Sequence, residues 1–212
     1  MKYLFLGDSI TEGVGASSQE KRYTDLVGKR LGCETVNYGI SGTRIARQMI
    51  TSERAAWDVD FRLRVPLMTK DCDKVFVFGG TNDFGHGACH LGSPECENEK
   101  TFATQLKLLI RDLTEKYGRE KLCFIIPLRR FSEDPIACKG DNRDELGAPF
   151  SEYVDVMRAV ISAHGIDYID LYENGFPKPT VNTGDEYTTD GLHPNDRGYE
   201  LIADRICEYL TR

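Results

Sequence analysis

Three polar side chains in this 212-residue chain have the types that acyl transfer requires. Ser9 supplies a hydroxyl near the N-terminus, His193 supplies an imidazole near the C-terminus, and Asp190 supplies a carboxylate just before that imidazole. A serine hydroxyl is a weak nucleophile until a base takes its proton, and a carboxylate that orients the base completes the arrangement. The three residues therefore predict a nucleophile, a base and an orienting group, if the fold brings them together.

Acyl transfer also needs hydrogen-bond donors directed at the oxyanion that develops on the substrate. The backbone N–H groups of Ser9 and Gly39 are candidates, because glycine lets the backbone approach closely. The side-chain amide of Asn82 is a third candidate. Each of these residues lies in a short turn rich in glycine and small polar residues.

Short apolar runs precede these turns, as expected of buried strands. Strands are predicted over residues 3–6, 33–38, 74–78, 122–126 and 166–171. Helical spacing of apolar residues predicts helices between the strands. Ser17 and Glu20 indicate a capping box at the start of the first helix, and Asn195 is a candidate cap for the last helix. Residues 43–73 give only a weak helical signal. This alternation predicts an α/β fold with a parallel sheet, whose strand ends bring the turns to one edge.

The composition is that of an ordinary globular protein, and we expect one domain over residues 1–212. The formal net charge of -7 gives no support for binding nucleic acid or an anionic membrane. The sequence contains no apolar run long enough to span a bilayer and no secretory signal pattern. Its seven scattered cysteines favour reduced thiols and a cytoplasmic location. The sequence is compatible with a homo-oligomer.

Other polar residues near the turns favour structural roles. Asp8 and Asp83 are expected to accept hydrogen bonds from turn backbone. Arg129 and Arg130 are either solvated or bind an anionic group of a substrate, and Trp57 belongs to either the core or a pocket. One loop carries two histidines and two cysteines in a spacing that matches no common zinc pattern, so no metal is predicted there: His86, Cys89, His90 and Cys96.

Four sequence blocks resemble those of the SGNH hydrolases, also called GDSL esterases and lipases. They are Gly7-Asp8-Ser9-Ile10, Asn37-Tyr38-Gly39-Ile40-Ser41-Gly42, Gly79-Gly80-Thr81-Asn82-Asp83 and Asp190-Gly191-Leu192-His193-Pro194. The blocks occur in the order typical of that family and span nearly the whole chain. Ile10 stands where the family name has leucine, which is a conservative apolar change.

The resemblance implies a flavodoxin-like, three-layer α/β/α fold with five parallel strands in the order 2-1-3-4-5. It implies Ser9 as nucleophile, His193 as base and Asp190 as its orienting group. The oxyanion hole would consist of Ser9, Gly39 and Asn82.

A small-molecule ester is the substrate class that this family implies. We expect hydrolysis of short-chain esters, above all acetyl esters on carbohydrates, through an acyl-enzyme and without a cofactor or metal. Lysophospholipid or thioester hydrolysis is the enzymatic alternative. The second alternative is a non-catalytic protein with the same fold that binds a small ligand.

Overall fold

The computed structural model describes residues 1–135 and 147–212, and within them five parallel strands form a sheet in the order β2-β1-β3-β4-β5. The strands are β1 (Lys2–Gly7), β2 (Glu34–Gly39), β3 (Lys74–Phe78), β4 (Leu122–Ile126) and β5 (Asp167–Asp170). The parallel pairing and the strand order confirm the predicted sheet.

Helices lie between the strands and after the last one. They are α1 (Ser9–Glu12), α2 (Tyr23–Leu31), α3 (Phe61–Arg64), α4 (Thr81–His86), α5 (Phe102–Tyr117), α6 (Phe150–Ala163), α7 (Leu171–Asn174) and α8 (Asp196–Leu210). Short 3-10 turns occur at Gln19–Lys21, Ala55–Asp58, Val65–Leu67 and Arg119–Lys121. None of the helices in the described ranges combines the length and apolar character needed to cross a membrane.

The helices cover both faces of the sheet, and successive residues of β1 show how the two cores divide. Leu4 and Leu6 pack in the core that also contains α3, α5 and α6. Tyr3 and Phe5 point to the opposite face and pack in the core with α2 and α8. Because side chains alternate along a strand, one continuous apolar run serves both cores. The fold is therefore the expected three-layer α/β/α arrangement.

Strand register brings three of the glycine-rich turns to the same level of the sheet. Gly7, the last residue of β1, pairs with Gly39 of β2 on one side and with Phe78 of β3 on the other. A Cβ at Gly7 would lie 1.9 Å from Thr11 Oγ1, so only glycine lets α1 start so close to the strand end. Ser9 consequently lies next to the turns that follow β2 and β3.

One local prediction differs from the structure. Ser17 does not cap the first long helix; its backbone N–H and hydroxyl donate to Asp196 at the start of α8. Residues 43–73, whose sequence has a weak helical signal, form α3 and the short 3-10 turns Ala55–Asp58 and Val65–Leu67. Cys138 lies within residues 136–146, which are outside the described part of the chain.

Candidate active site

Ser9 is the first residue of α1 and follows β1 by one residue. The Asp8 carboxylate caps this short helix by accepting the Ile10 N–H at 3.0 Å. The Ser9 N–H lies at the first helical position, where a backbone N–H has no acceptor within the helix. The hydroxyl and a free backbone donor are thus presented by the same residue at the edge of the sheet.

His193 and Asp190 complete a chain of hydrogen bonds that starts at Ser9. Ser9 Oγ lies 2.9 Å from His193 Nε2, and His193 Nδ1 lies 2.7 Å from Asp190 Oδ2. An ionised carboxylate only accepts hydrogen bonds, so Nδ1 carries the ring proton of the neutral imidazole. Nε2 is then the acceptor for the serine hydroxyl. The three residues predicted from sequence are brought together in the order that base-assisted attack requires.

The other oxygen of Asp190 holds the loop that carries His193. Asp190 Oδ1 accepts the backbone N–H of Leu192 at 3.0 Å and that of His193 at 2.7 Å. Burial alone would raise the pKa of Asp190, but the hydrogen bonds from the His193 ring and backbone outweigh it, and the pKa lies below its usual value. Asp190 therefore stays ionised at neutral pH.

Hydrogen bonds join α8 to the loop that follows Ser9. They bring the N-terminal and C-terminal segments that carry Ser9 and His193 into contact. Tyr199 on α8 donates its hydroxyl proton to Val14 O at 2.8 Å. The Ser17 hydroxyl donates to Asp196 at 2.6 Å. A Cβ at Gly15 would lie 2.3 Å from Pro194 O, so the two segments touch through their backbones. These contacts hold the His193 loop against the serine turn.

Asn82 is the second residue of α4 and is 7% exposed. Its Nδ2 donates one hydrogen bond to Thr43 O at 3.0 Å. A side-chain amide has two N–H donors, so the second remains for a substrate oxygen. The bond to Thr43 also joins the turn after β3 to the turn after β2.

The turn after β2 contains two glycines, and their N–H groups differ in availability. The Gly39 N–H donates to Asn37 Oδ1 at 2.8 Å, so the donor expected from the sequence is already engaged. A Cβ at Gly39 would lie 2.1 Å from Glu12 N, so glycine there allows β2 to end against α1. The Gly42 N–H has no acceptor within residues 1–135 and 147–212, and Gly42 precedes the residue that Asn82 contacts.

Asp8 and Asp83 accept hydrogen bonds from backbone, as predicted. The Asp83 carboxylate accepts the N–H of Ile45 at 3.0 Å and that of Ala46 at 2.8 Å. Burial raises the pKa of Asp8 to about 7 and that of Asp83 to about 6, against the opposing effect of these hydrogen bonds. Both residues fix turns beside Ser9 and Asn82.

The sequence matches the model of the GDSL-like lipase/acylhydrolase family over residues 5–201. The chain belongs to this family. It is therefore a GDSL hydrolase, an enzyme that acts on ester bonds. No curated protein matches it significantly.

Solved structures similar to this GDSL hydrolase share its fold. A protein from Lactobacillus plantarum is 25% identical, with a TM-score of 0.79 and coverage of 99% of this chain and 96% of that one. An acetyl xylan esterase is 22% identical, with a TM-score of 0.69 and coverage of 99% and 100%. A lipase/acylhydrolase from Enterococcus faecalis is 24% identical, with a TM-score of 0.62 and coverage of 99% and 94%.

A cavity of about 360 Å³ in the hydrolase adjoins the turn after β2. Its lining includes Arg44, Thr51, Ser52, Glu53, Trp57 and His86. The indole edge of Trp57 lies against Gly42: a Cβ added there would be 2.1 Å from Trp57 Nε1. The indole N–H of Trp57 has no acceptor among the described residues, whereas its backbone N–H donates to Arg54 O at 2.9 Å. Trp57, left open by the sequence, thus belongs to the wall of a cavity beside the Gly42 turn.

The two arginines that follow β4 have partners within the protein. Arg129 pairs with Glu133 at 2.8 Å, and Arg130 donates to Thr81 O at 3.1 Å while packing over Phe84. Neither arginine is simply solvated. In the part of the chain that the structure describes, no three His, Cys, Asp or Glu side chains are placed to share a metal ion.

Gly42 lies inside the second sequence block, but the sequence pattern pointed to Gly39 as the backbone donor. An Asn side chain commonly accepts the N–H two residues later, and that rule connects Asn37 to Gly39. The same rule describes Asp8 with Ile10 and Asp190 with Leu192. Applied to the turn after β2, it would have removed Gly39 from the free donors.

Proposed function

We propose that this GDSL hydrolase is a serine esterase that cleaves short-chain, above all acetyl, esters on carbohydrates through an acyl-enzyme. The observation that carries the proposal is the continuous hydrogen-bond chain from Ser9 Oγ through the His193 ring to Asp190. Family membership supplies the ester-bond chemistry.

Acylation begins when Ser9 Oγ attacks the ester carbonyl carbon and His193 Nε2 takes the hydroxyl proton. Asp190 holds Nδ1 and stabilises the imidazolium that forms. The carbonyl oxygen becomes an oxyanion, which accepts hydrogen bonds from the Ser9 N–H and from Asn82 Nδ2. We assign the third donor to the Gly42 N–H in place of Gly39, because the Gly39 N–H is already bonded to Asn37.

The tetrahedral intermediate then collapses as His193 gives its proton to the leaving alcohol oxygen. The acyl group stays on Ser9, and water enters where the alcohol left. His193 takes a proton from that water as the water oxygen attacks the acyl carbon. The carbonyl oxygen again becomes an oxyanion and is held by the same donors. The bond between the acyl carbon and Ser9 Oγ then breaks as His193 Nε2 returns the proton taken from water to Oγ, so the carboxylic acid leaves and the Ser9 hydroxyl is regenerated. Apart from the ester and water, each group that these steps use belongs to the chain.

The cavity beside Gly42 supports a polar alcohol as the larger part of the substrate. Its wall combines the indole of Trp57 with hydroxyl and charged groups, including Ser52 and Glu53. An aromatic ring with polar neighbours suits a sugar, which has an apolar ring face and a belt of hydroxyls. Ser52 is already bonded to Asp58, but a long alkyl chain would displace water from the exposed Glu53 carboxylate and offer it no hydrogen bond. The acetyl xylan esterase with the same fold agrees with this assignment without deciding it.

A substrate panel tests the proposal. Acetylated mono- and disaccharides, p-nitrophenyl esters of rising chain length and a lysophospholipid are compared by kcat/KM. We expect the acetyl sugars to be hydrolysed and the p-nitrophenyl series to decline with chain length. A preference for the longest chains or for the lysophospholipid would contradict the carbohydrate ester assignment.

A Trp57→Ala variant locates the sugar in the same panel. If the alcohol occupies the cavity, Trp57→Ala lowers kcat/KM for acetyl sugars more than for p-nitrophenyl acetate. Equal losses on both substrates would count against a sugar in this cavity.

A further inference from the structure

Arg64 is the last residue of α3, and its guanidinium is buried under the ends of two strands. The residue is 4% exposed. Nη1 donates to Gly7 O at 2.9 Å and to Tyr38 O at 2.7 Å, and Nη2 donates to Thr43 Oγ1 at 3.0 Å. One side chain thus binds the end of β1, the end of β2 and the turn that follows β2.

Each of these three acceptors belongs to a segment that carries a proposed catalytic group. Gly7 lies two residues before Ser9 in the chain. Tyr38 is the next-to-last residue of β2, just before the turn that contains Gly42. Thr43 directly follows Gly42, and its carbonyl accepts the hydrogen bond from Asn82. Arg64 therefore joins the turn that carries Ser9 to the turn after β2. That second turn contains the proposed donor Gly42, and its Thr43 carbonyl contacts the other proposed donor, Asn82.

The guanidinium is charged and has no carboxylate partner of its own. Burial lowers the pKa of Arg64 to about 10, which still leaves it protonated at neutral pH. Among the described residues Arg64 forms no ion pair, and its Nε is buried without an acceptor. The carboxylates of Asp8 and Asp60 raise the pKa of Arg64 without forming an ion pair with it, and a buried cation that is not directly paired is unfavourable for stability. Stability alone therefore gives a weak reason for arginine at this position.

Neighbouring residues hold the guanidinium in place. The ring of Phe61 lies under it, with Arg64 Cζ 4.5 Å from the ring centre. The same ring packs on the turn after β3, where a Cβ at Gly79 would lie 2.6 Å from Phe61 Cζ. Asp60 caps α3 by accepting the Leu63 N–H. The fork of donors is thus fixed relative to β1, β2 and β3 together.

We propose that Arg64 is a positioning residue of the esterase: its three hydrogen bonds set the distance between the Ser9 turn and the Gly42–Thr43 turn, so that the oxyanion donors converge. The inference rests on the proposed function. Arginine suits this role because its planar fork directs several donors at fixed angles, whereas lysine offers a single ammonium on a flexible stem. A displacement of about 1 Å in such a site can lower the rate by about 10²-fold.

Two substitutions at Arg64 and one control test the proposal. Arg64→Gln, Arg64→Lys and Arg62→Gln are compared with wild type for kcat and KM on p-nitrophenyl acetate and for melting temperature. Arg62 is a matched control, since it lies on the same helix and pairs with Asp112 on α5. We expect Arg64→Gln to lower kcat by about 10²-fold per folded molecule with little change in KM. Arg64→Lys should recover part of this loss, and Arg62→Gln should behave like wild type.

A second pair of variants decides the matter if the Arg64 variants fail to fold. Thr43→Val removes one of the three acceptors and keeps the shape of the side chain, whereas Thr43→Ser keeps the hydroxyl. The proposal expects a lower kcat in Thr43→Val than in Thr43→Ser. Wild-type kcat in folded Arg64→Gln, or equal kcat in the two Thr43 variants, would overturn the positioning role alone. A wild-type protein that hydrolyses no ester would overturn the proposed function and this inference with it.

Discussion

Ser9 Oγ and His193 Nε2 lie 2.9 Å apart although 184 residues separate them in the chain. Two features of the fold produce this contact. The register of β1 places Ser9 at the sheet edge beside the turns after β2 and β3. The bonds from α8 to the loop after Ser9 then bring the His193 loop to the same edge. Several predictions about single residues depend on this geometry.

The first prediction concerns the tautomer of His193. Asp190 Oδ1 accepts two backbone N–H groups while Oδ2 faces His193 Nδ1. In Asp190→Asn the amide oxygen takes the place that faces the backbone donors, so the amide nitrogen faces Nδ1. The ring then carries its proton on Nε2 and cannot accept one from Ser9. We expect kcat to fall by about 10⁴, as in a comparable triad with the wrong tautomer.

Asp190→Ala is the control for that prediction. Alanine removes the carboxylate without imposing a tautomer, so it should lower kcat less than asparagine does, per folded molecule. Steady-state kinetics beside thermal melts measures both. A wild-type kcat in Asp190→Asn would mean that Ser9 and His193 act as a dyad.

The second prediction concerns Asn82. Its amide bonds Thr43 O and has one further N–H for the oxyanion. Asn82→Ala should lower kcat by about 10²–10³ with little change in KM. It should also lower the melting temperature, because the buried Thr43 carbonyl loses its partner.

Asn82→Asp separates the two roles of this side chain. A carboxylate cannot donate to Thr43 O and repels the oxyanion, so this variant should be at least as impaired as Asn82→Ala. If kcat per folded molecule is unchanged in both variants while melting temperature falls, Asn82 has only its structural role.

The third prediction concerns Gly42. Its φ of 75° is unfavourable for residues with a Cβ, and that Cβ would strike the indole of Trp57. Gly42→Ala should therefore displace the turn and lower kcat. Gly32→Ala is a matched control, because Gly32 has a φ of 59° and open space around its Cβ position. That control should cost about 1–2 kcal/mol of stability and leave kcat unchanged. Equal kcat values in the two variants would remove Gly42 from the proposed oxyanion hole.

The fourth prediction concerns pH and stability. Burial raises the pKa of Asp8 to about 7 in the folded protein, whereas an aspartate in an unfolded chain titrates near ~3.9. Between these values the folded protein holds a proton that the unfolded chain has released. The free energy of unfolding therefore falls as pH rises from about 4 to about 7 through this group. Asp8→Asn is neutral throughout and can still accept the Ile10 N–H.

Melting temperatures of wild type and Asp8→Asn between pH 5 and pH 8 test this sign. The variant should gain stability relative to wild type as pH rises. Asp196→Asn is the control, since hydrogen bonds from Ser17 lower the pKa of Asp196 and its contribution is constant over this range. A difference between Asp8→Asn and wild type that does not change with pH would contradict the raised pKa.

The sequence predicted the parts of the molecule that are encoded locally. Short apolar runs predicted the five strands, three of which run into glycine, and the residues after the first and third runs predicted Ser9 and Asn82 at one edge of the sheet. The features that could not be predicted from the sequence depend on contacts between residues that are far apart in the chain. Ser17 has the sequence of a cap but bonds Asp196, which lies 179 residues away. Arg64 bonds Gly7 across 57 residues, and no periodicity in residues 43–73 points to that contact.

The central claim is that Ser9 is the nucleophile, and covalent labelling tests it most directly. Wild type, Ser9→Ala and Ser41→Ala are treated with a fluorophosphonate and examined by intact mass and peptide mapping. Ser41 is a suitable control, because its hydroxyl lies in the neighbouring turn and donates to Glu12. The account predicts one adduct on the peptide that contains Ser9 in wild type and Ser41→Ala, and none in folded Ser9→Ala. An adduct on another residue, or no adduct on folded wild type, would contradict it.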